Sequence, residues 1–171
     1  MLSAIVALLL SVPSCITGSP QLETVIAAKA KELGGRELCQ YRMYDNLADL
    51  DNDSKPDFVA VFGIENAQDG PGRIQFMVVF TSSGNEPPAM TEVGRLGQRI
   101  ATRLEVSPPE IVLHVLEYEP TDAICCPSDA VLIAYRRSCG GLQQVAHRSN
   151  VPHQHPPVEL PCRAGVKSDR P

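Results

Sequence analysis

The stretch DLDNDSKPD, residues 49–57, places four carboxylates in nine positions, directly before the apolar run FVAVFGI. Like charges this close repel, so either a cation draws them together or they stand in water at a turn. Calcium takes about six to eight oxygen ligands at roughly 2.3–2.6 Å. The sequence predicts a structural calcium site whose ligands are the side chains of Asp49, Asp51, Asp53 and Asp57 and the carbonyl of Lys55. A metal-free acidic turn and a pair of catalytic carboxylates remain as alternatives.

This spacing resembles the DxDxDGxxD calcium loops that lie between strands in FG-GAP repeats and in many secreted bacterial domains. The resemblance implies that the chain turns with positive φ at the sixth position, where Ser54 replaces the usual glycine. A non-glycine residue in that conformation costs roughly 1 kcal/mol. An EF-hand is excluded, because its twelfth position needs a glutamate and Ala60 stands there.

The six cysteines are the second group of residues with chemical potential: Cys15, Cys39, Cys125, Cys126, Cys139 and Cys162. In an exported chain without a CxxC motif they favour disulfides over zinc. A straight strand over residues 129–137 would span about 30 Å, whereas a disulfide needs Cα atoms within about 7 Å. Cys139 is therefore not expected to pair with Cys125 or Cys126. A bond between those two neighbours, a bond from one of them to Cys39, and a bond from Cys139 to Cys39 or Cys162 all remain open.

The segment DAICCPSDAVLIAYRR, which begins at Asp122, contains a CCPS motif followed by an apolar strand and then by Gly141 and Leu142. It resembles the corresponding segment of LppP/LprE-type lipoproteins. The resemblance implies a small exported protein, and it brings no established activity.

A nucleophile is the alternative interpretation of this segment. In a small exported hydrolase, Cys126 or Ser128 would act with His114, the histidine of the preceding predicted strand, or a metal held by the aspartates would act instead. The sequence has no GxSxG, HExxH or glycine-rich phosphate loop. The hydrolase is therefore kept as an alternative to a non-enzymatic protein.

The first fifteen residues, MLSAIVALLLSVPSC, contain an apolar run over residues 2–12 that has the length of a signal-peptide core. A transmembrane helix needs about 20 apolar residues. VPSC resembles a bacterial lipobox, which makes Cys15 a candidate for lipidation. We expect an exported protein that is periplasmic, at the cell surface or extracellular, and that meets the membrane only through a lipid anchor or the signal segment.

Three regions follow from the pattern along the chain. Residues 1–19 form the signal region, residues 20–146 a single domain, and residues 147–171 a Pro- and His-rich disordered tail. The fold class is predicted as α+β, with an N-terminal amphipathic helix packed on a mostly antiparallel sheet of about six to eight strands. Several strands are apolar on both faces, so the sheet must be covered twice, once by the helix and once by sheet curvature or a second layer.

Composition limits the partners. With 20 acidic and 15 basic residues the formal net charge is −5, and only 5% of residues are aromatic. Nucleic-acid binding lacks its usual basic surface. The sequence therefore predicts a cell-envelope protein, stabilised by calcium and disulfides, that binds an envelope protein or component through loops at one end of its sheet.

Overall fold

The computed structural model describes residue 15 and residues 19–66, 72–84, 87–138 and 141–149. One helix is followed by eight strands: α1 (Pro20–Glu32), β1 (Arg36–Asp45), β2 (Phe58–Asn66), β3 (Gly72–Phe80), β4 (Ala89–Arg95), β5 (Arg99–Ser107), β6 (Glu110–Glu117), β7 (Asp129–Ser138) and β8 (Gly141–Ser149). The predicted α+β class is confirmed, with a strand count at the upper end of the expected range.

Local sequence signals fix both ends of α1. Ser19 caps the helix by accepting the N–H of Leu22, and Pro20 occupies the first turn, where a missing N–H removes no hydrogen bond. Gly34, at φ +61°, ends it in the left-handed conformation that favours glycine. Leu22 and Ile26 are buried and hold the helix on the sheet.

Each strand pairs with its neighbour in sequence, so the sheet order is β1 to β8 and every pairing is antiparallel. The junction between β4 and β5 is thin, because only Arg95 and Arg99 face each other there. The sheet folds at this point, and β1 lies near β5 while β4 lies near β8. Two four-stranded halves, β1–β4 and β5–β8, therefore enclose a common core.

The core is divided by the β1–β4 half. Between the halves lies a cluster that includes Val61, Met77, Leu113 and Ile133. Beneath the helix lies a second cluster that includes Leu22, Phe62 and Phe76. The strands that are apolar on both faces are thus covered twice, as the sequence predicts.

Gln75 joins the halves where strand pairing is thin. It is buried, its Nε2 donates to the carbonyl of Ala101, and its Oε1 accepts the N–H of the same residue. Gly94 leaves the room for this, since a Cβ there would lie 2.4 Å from Gln75 Oε1. One amide side chain in β3 thereby satisfies both backbone groups of a residue in β5.

The C-terminal boundary differs from the expectation. β8 runs to Ser149, so His147 lies in a strand and not in the tail, and its Nε2 is 3.1 Å from Glu117 Oε1. The signal segment up to residue 14 and the chain from residue 150 onward lie outside the described residues. Within the described ranges, no helix combines the length and apolar character needed to cross a bilayer.

Candidate functional site

The aspartate loop, residues 46–57, connects β1 to β2. Two of its side chains, Ala48 and Leu50, are buried in the core between the sheet halves, which anchors the loop from below. Asn52 (φ +59°) and Ser54 (φ +65°) turn the backbone through the left-handed region. The positive φ expected at Ser54 is therefore present, and Asn52 adds a second turn that asparagine tolerates well.

Three of the predicted ligands converge. Asp49, Asp51 and Asp57 each offer a carboxylate oxygen, and these atoms all lie within 4.8 Å of one another. Asp53 is not part of this converging group; its Oδ1 accepts the N–H of Lys55 and its Oδ2 accepts the hydroxyl of Ser82. The carbonyl of Lys55 stays a predicted ligand.

Backbone N–H groups hold the carboxylates in place. Asp49 accepts the N–H of Asp53 at 3.2 Å and that of Ser54 at 2.9 Å. Asp57, only 1% exposed, accepts the N–H of Leu50 at 2.8 Å and that of Ser82 at 2.9 Å. A carboxylate has about four acceptor positions, so these hydrogen bonds leave lone pairs available for a cation.

The electrostatics of the loop also favour a cation. Burial raises the pKa of the Asp51 carboxyl, and the charges of Asp57 and Asp53 raise it further. The N–H of Asp53 and the guanidinium of Arg137, whose Nη1 is 3.7 Å from Asp51 Oδ2, oppose that rise. Burial and the neighbouring charges both disfavour the ionised Asp51 carboxylate, and a bound cation would favour it.

The loop is also tied to the turn that follows β3, through a residue that sequence reasoning missed. Ser82 donates its N–H to Asp57 and its hydroxyl to Asp53. The only signal in the sequence is a serine pair in the polar turn TSSGNEPP, which does not indicate a contact across 29 positions. Three converging carboxylates on this support can hold a metal ion with hard oxygen ligands.

The disulfides resolve part of what the sequence left open. Cys125 and Cys126 are bonded to each other, which was one of the alternatives. Cys39 is bonded to Cys15, with a Cα–Cα distance of 5.4 Å, and not to any partner that the sequence suggested for it. Cys139 and Cys162 lie outside the described residues.

The bond from Cys15 to Cys39 competes with the predicted lipidation of Cys15, which stays a prediction. A lipid anchor uses the cysteine sulfur for a thioether, and a sulfur in a disulfide is not free to form one. Lipidation and this bridge therefore exclude each other in one molecule.

The structure does not assemble the hydrolase alternative. The sulfur of Cys126 is bonded to Cys125, and the hydroxyl of Ser128 donates to Asp122 at 2.9 Å. His114 pairs with Leu132 in β7. That position is four residues beyond Ser128, or roughly 13 Å along the strand.

Comparison with known protein families, with curated proteins and with solved structures finds no match for this chain. The resemblances to LppP/LprE-type lipoproteins and to FG-GAP calcium loops therefore stay predictions.

Proposed function

We propose that the chain is an exported cell-envelope protein, a non-enzymatic binding module whose aspartate loop holds a structural calcium ion. The observation that carries the proposal is the convergence of Asp49, Asp51 and Asp57 within 4.8 Å, on a loop that hydrogen bonds hold in shape. Carboxylate and carbonyl oxygens are the donors that calcium prefers.

The role proposed for the ion is to join two turns at one end of the β1–β4 half. Asp57 is already hydrogen-bonded to Ser82, so an ion on the loop also supports the turn after β3. Because Leu50 lies in the core between the halves, loop conformation and core packing are coupled. The expected effect of the ion is on stability.

Export is supported by the two disulfides, which are typical of oxidising compartments. The apolar run at residues 2–12 supports it independently.

The contact surface proposed for the envelope partner, a protein, lies at the same end of the sheet. Tyr44, Leu47 and Met90 are exposed there, and Tyr44 stacks on Phe58 with ring centroids 6.2 Å apart. The aspartate loop adds acidic charge beside these exposed apolar side chains, so the surface fits a partner with apolar and basic groups. No observation favours the hydrolase, which is not carried further.

Thermal unfolding of the purified native protein, with calcium and with chelator, tests the metal. A site at a hundred times its dissociation constant adds about 2.7 kcal/mol, which corresponds to a melting temperature higher by about 5–10 °C for a chain of this size. Asp51→Asn is expected to remove most of this response. Asp45→Asn, the same change just outside the cluster, is expected to keep it. A melt that chelator leaves unchanged refutes the calcium site.

Site-specific photo-crosslinking in the source cells tests the partner. A crosslinking residue at position 47 is expected to give one dominant protein adduct that chelator weakens, while position 102, on the β5–β8 half, gives none. Equal adducts at both positions would contradict the proposed surface.

A further inference from the structure

The two disulfides differ in how much chain they enclose. Cys15 and Cys39 are 24 positions apart and bracket helix α1, whereas Cys125 and Cys126 are adjacent. A disulfide stabilises a fold mainly by restricting the unfolded chain, and the effect grows with the enclosed loop. The bond between the adjacent cysteines hardly restricts the unfolded chain, so loop closure does not explain why this bond is present.

The adjacent pair is open to solvent. Cys125 and Cys126 are both exposed in the cysteine loop, residues 118–128, and so is Ile124 before them. In the other bridge Cys15 is buried, whereas Cys39 is exposed. Thiol–disulfide exchange requires a thiolate to reach a sulfur, so both residues of the adjacent pair are accessible to it, against one residue of the other bridge.

The cysteine loop is held without its sulfur bond. Asp122 accepts the N–H groups of Glu119 and Ser128, each at 2.9 Å, and the hydroxyl of Ser128. The Tyr118 hydroxyl donates to the carbonyl of Ile124 at 2.7 Å. These contacts involve no sulfur atom, so opening the disulfide is expected to leave the loop in place.

A cavity of about 390 Å³ reaches Ile124, the residue before the pair, and is lined by Gly97, Tyr118, Glu119, Pro120, Asp122 and Ile124 but by neither cysteine. It is open to solvent and combines apolar side chains with two carboxylates. It offers space for the molecule that carries the attacking thiol.

We propose that Cys125–Cys126 is a thiol–disulfide exchange site that accepts two electrons from a dithiol reductant. One thiolate of the reductant attacks a cysteine sulfur and forms a mixed disulfide, and the other cysteine leaves as a thiolate that takes a proton from water. The second thiol of the reductant then loses its proton and attacks the sulfur by which the reductant is bound in the mixed disulfide. The remaining cysteine leaves as a thiolate and takes a proton from water. The products are an oxidised cyclic reductant and two protein thiols, so atoms and electrons balance.

The comparison between the two bridges gives the expected magnitude. A disulfide that raises the free energy of unfolding is itself more stable in the folded protein than in the unfolded chain, by the same free energy. It is therefore harder to reduce in the folded protein. For a loop of the size between Cys15 and Cys39 this linkage amounts to about a hundredfold in the exchange equilibrium. The adjacent pair lacks that protection. This inference does not depend on the calcium proposal.

Equilibration of the native full-length protein in graded mixtures of reduced and oxidised dithiothreitol tests the proposal. After acid quenching, thiols are alkylated with N-ethylmaleimide and located by peptide mass mapping, which separates Cys139 and Cys162 from the other four. The expected result is alkylation of Cys125 and Cys126 at a reductant ratio about a hundredfold lower than for Cys15 and Cys39. The thermal transition is expected to stay unchanged at that ratio.

Matched variants keep the result interpretable. Cys125→Ala with Cys126→Ala is expected to melt like the parent, whereas Cys39→Ala melts lower or does not fold. The proposal is overturned if both bridges open at the same ratio, if the adjacent pair resists longer, or if its removal lowers the melting temperature. Native protein whose Cys125 and Cys126 are alkylated before any reductant is added would also overturn it.

Discussion

Replacing Arg42 with methionine tests whether buried ion pairs hold helix α1 on the sheet. The Arg42 side chain is 5% exposed and donates to both oxygens of Glu37, at 2.8 and 2.7 Å. It also donates to Glu23 of the helix, at 2.7 and 3.3 Å. Burial lowers the pKa of Arg42, but the hydrogen bonds and the charges of the two glutamates together outweigh it, so the pKa is raised. The guanidinium is therefore the charged link between α1 and β1.

The expected loss of stability comes from the carboxylate that Arg42→Met leaves without a counter-charge. Glu37, whose side chain is 14% exposed, would remain nearly buried without its counter-charge. Removing one partner of a buried ion pair costs about 3–5 kcal/mol, because the remaining charge is desolvated and unpaired. For a chain of this size, that lowers the melting temperature by about 6–20 °C. Arg42→Met is expected to be among the most destabilising single changes outside the apolar core.

Equilibrium unfolding in urea measures the effect, with Arg36→Met as the control in the same strand. Arg36 pairs with Glu65 at the surface, where its side chain is 77% exposed, so that change is expected to cost about 0–1 kcal/mol. Adding Glu37→Gln to Arg42→Met removes the unpaired charge and is expected to restore part of the loss. A loss below about 1 kcal/mol for Arg42→Met, or a double variant less stable than the single one, would refute this reasoning.

Three further changes test other parts of the structure. Asp57→Asn replaces one of the two carboxylate oxygens that accept the N–H groups of Leu50 and Ser82 by a donor, and it is expected to cost about 2–3 kcal/mol even in chelator, measured by urea unfolding. A normal stability in chelator would show that Asp57 acts only as a ligand. Gln75→Leu leaves two buried backbone groups unpaired and is expected to cost about 2–3 kcal/mol in the same assay, so an unchanged midpoint would contradict the bridging role. The N–H of Glu119, with the hydroxyl and N–H of Ser128, lowers the pKa of Asp122. The contribution of that carboxylate is thus complete above its ordinary pKa and is lost as pH falls through the lowered value. Exchange protection of the Ser128 amide is expected to persist until the pH is below about 3.9, and earlier loss would contradict the assignment.

Features that depend on neighbouring residues could be predicted from the sequence. Ser19, Pro20 and Gly34 mark the helix ends by their backbone chemistry alone. The spacing of the aspartates placed three of the proposed ligands correctly in one cluster, because a short loop brings its own side chains together.

Features that depend on residues distant in the chain could not be predicted from the sequence. Asp53 has the spacing of a ligand, yet its carboxylate lies outside the converging group and accepts the hydroxyl of Ser82 from another turn. Two further contacts depend on how α1 lies against β1, which no local pattern specifies. They are the disulfide between Cys15 and Cys39 and the ion pair between Arg42 and Glu23. The same holds for Gln75, which appears in the sequence as a polar residue in an otherwise apolar strand.

The order of the strands has a consequence for how the chain reaches its folded state. Since every strand pairs with the one before it, each hairpin can close from residues that are adjacent in the chain, at a small loss of loop entropy. The closure of the two halves over their common core then brings together segments that are farther apart in the chain, as the proximity of β1 to β5 and of β4 to β8 shows. A polypeptide threaded through a membrane in extended form could then assemble its sheet progressively from the N-terminal end, as each new strand emerges.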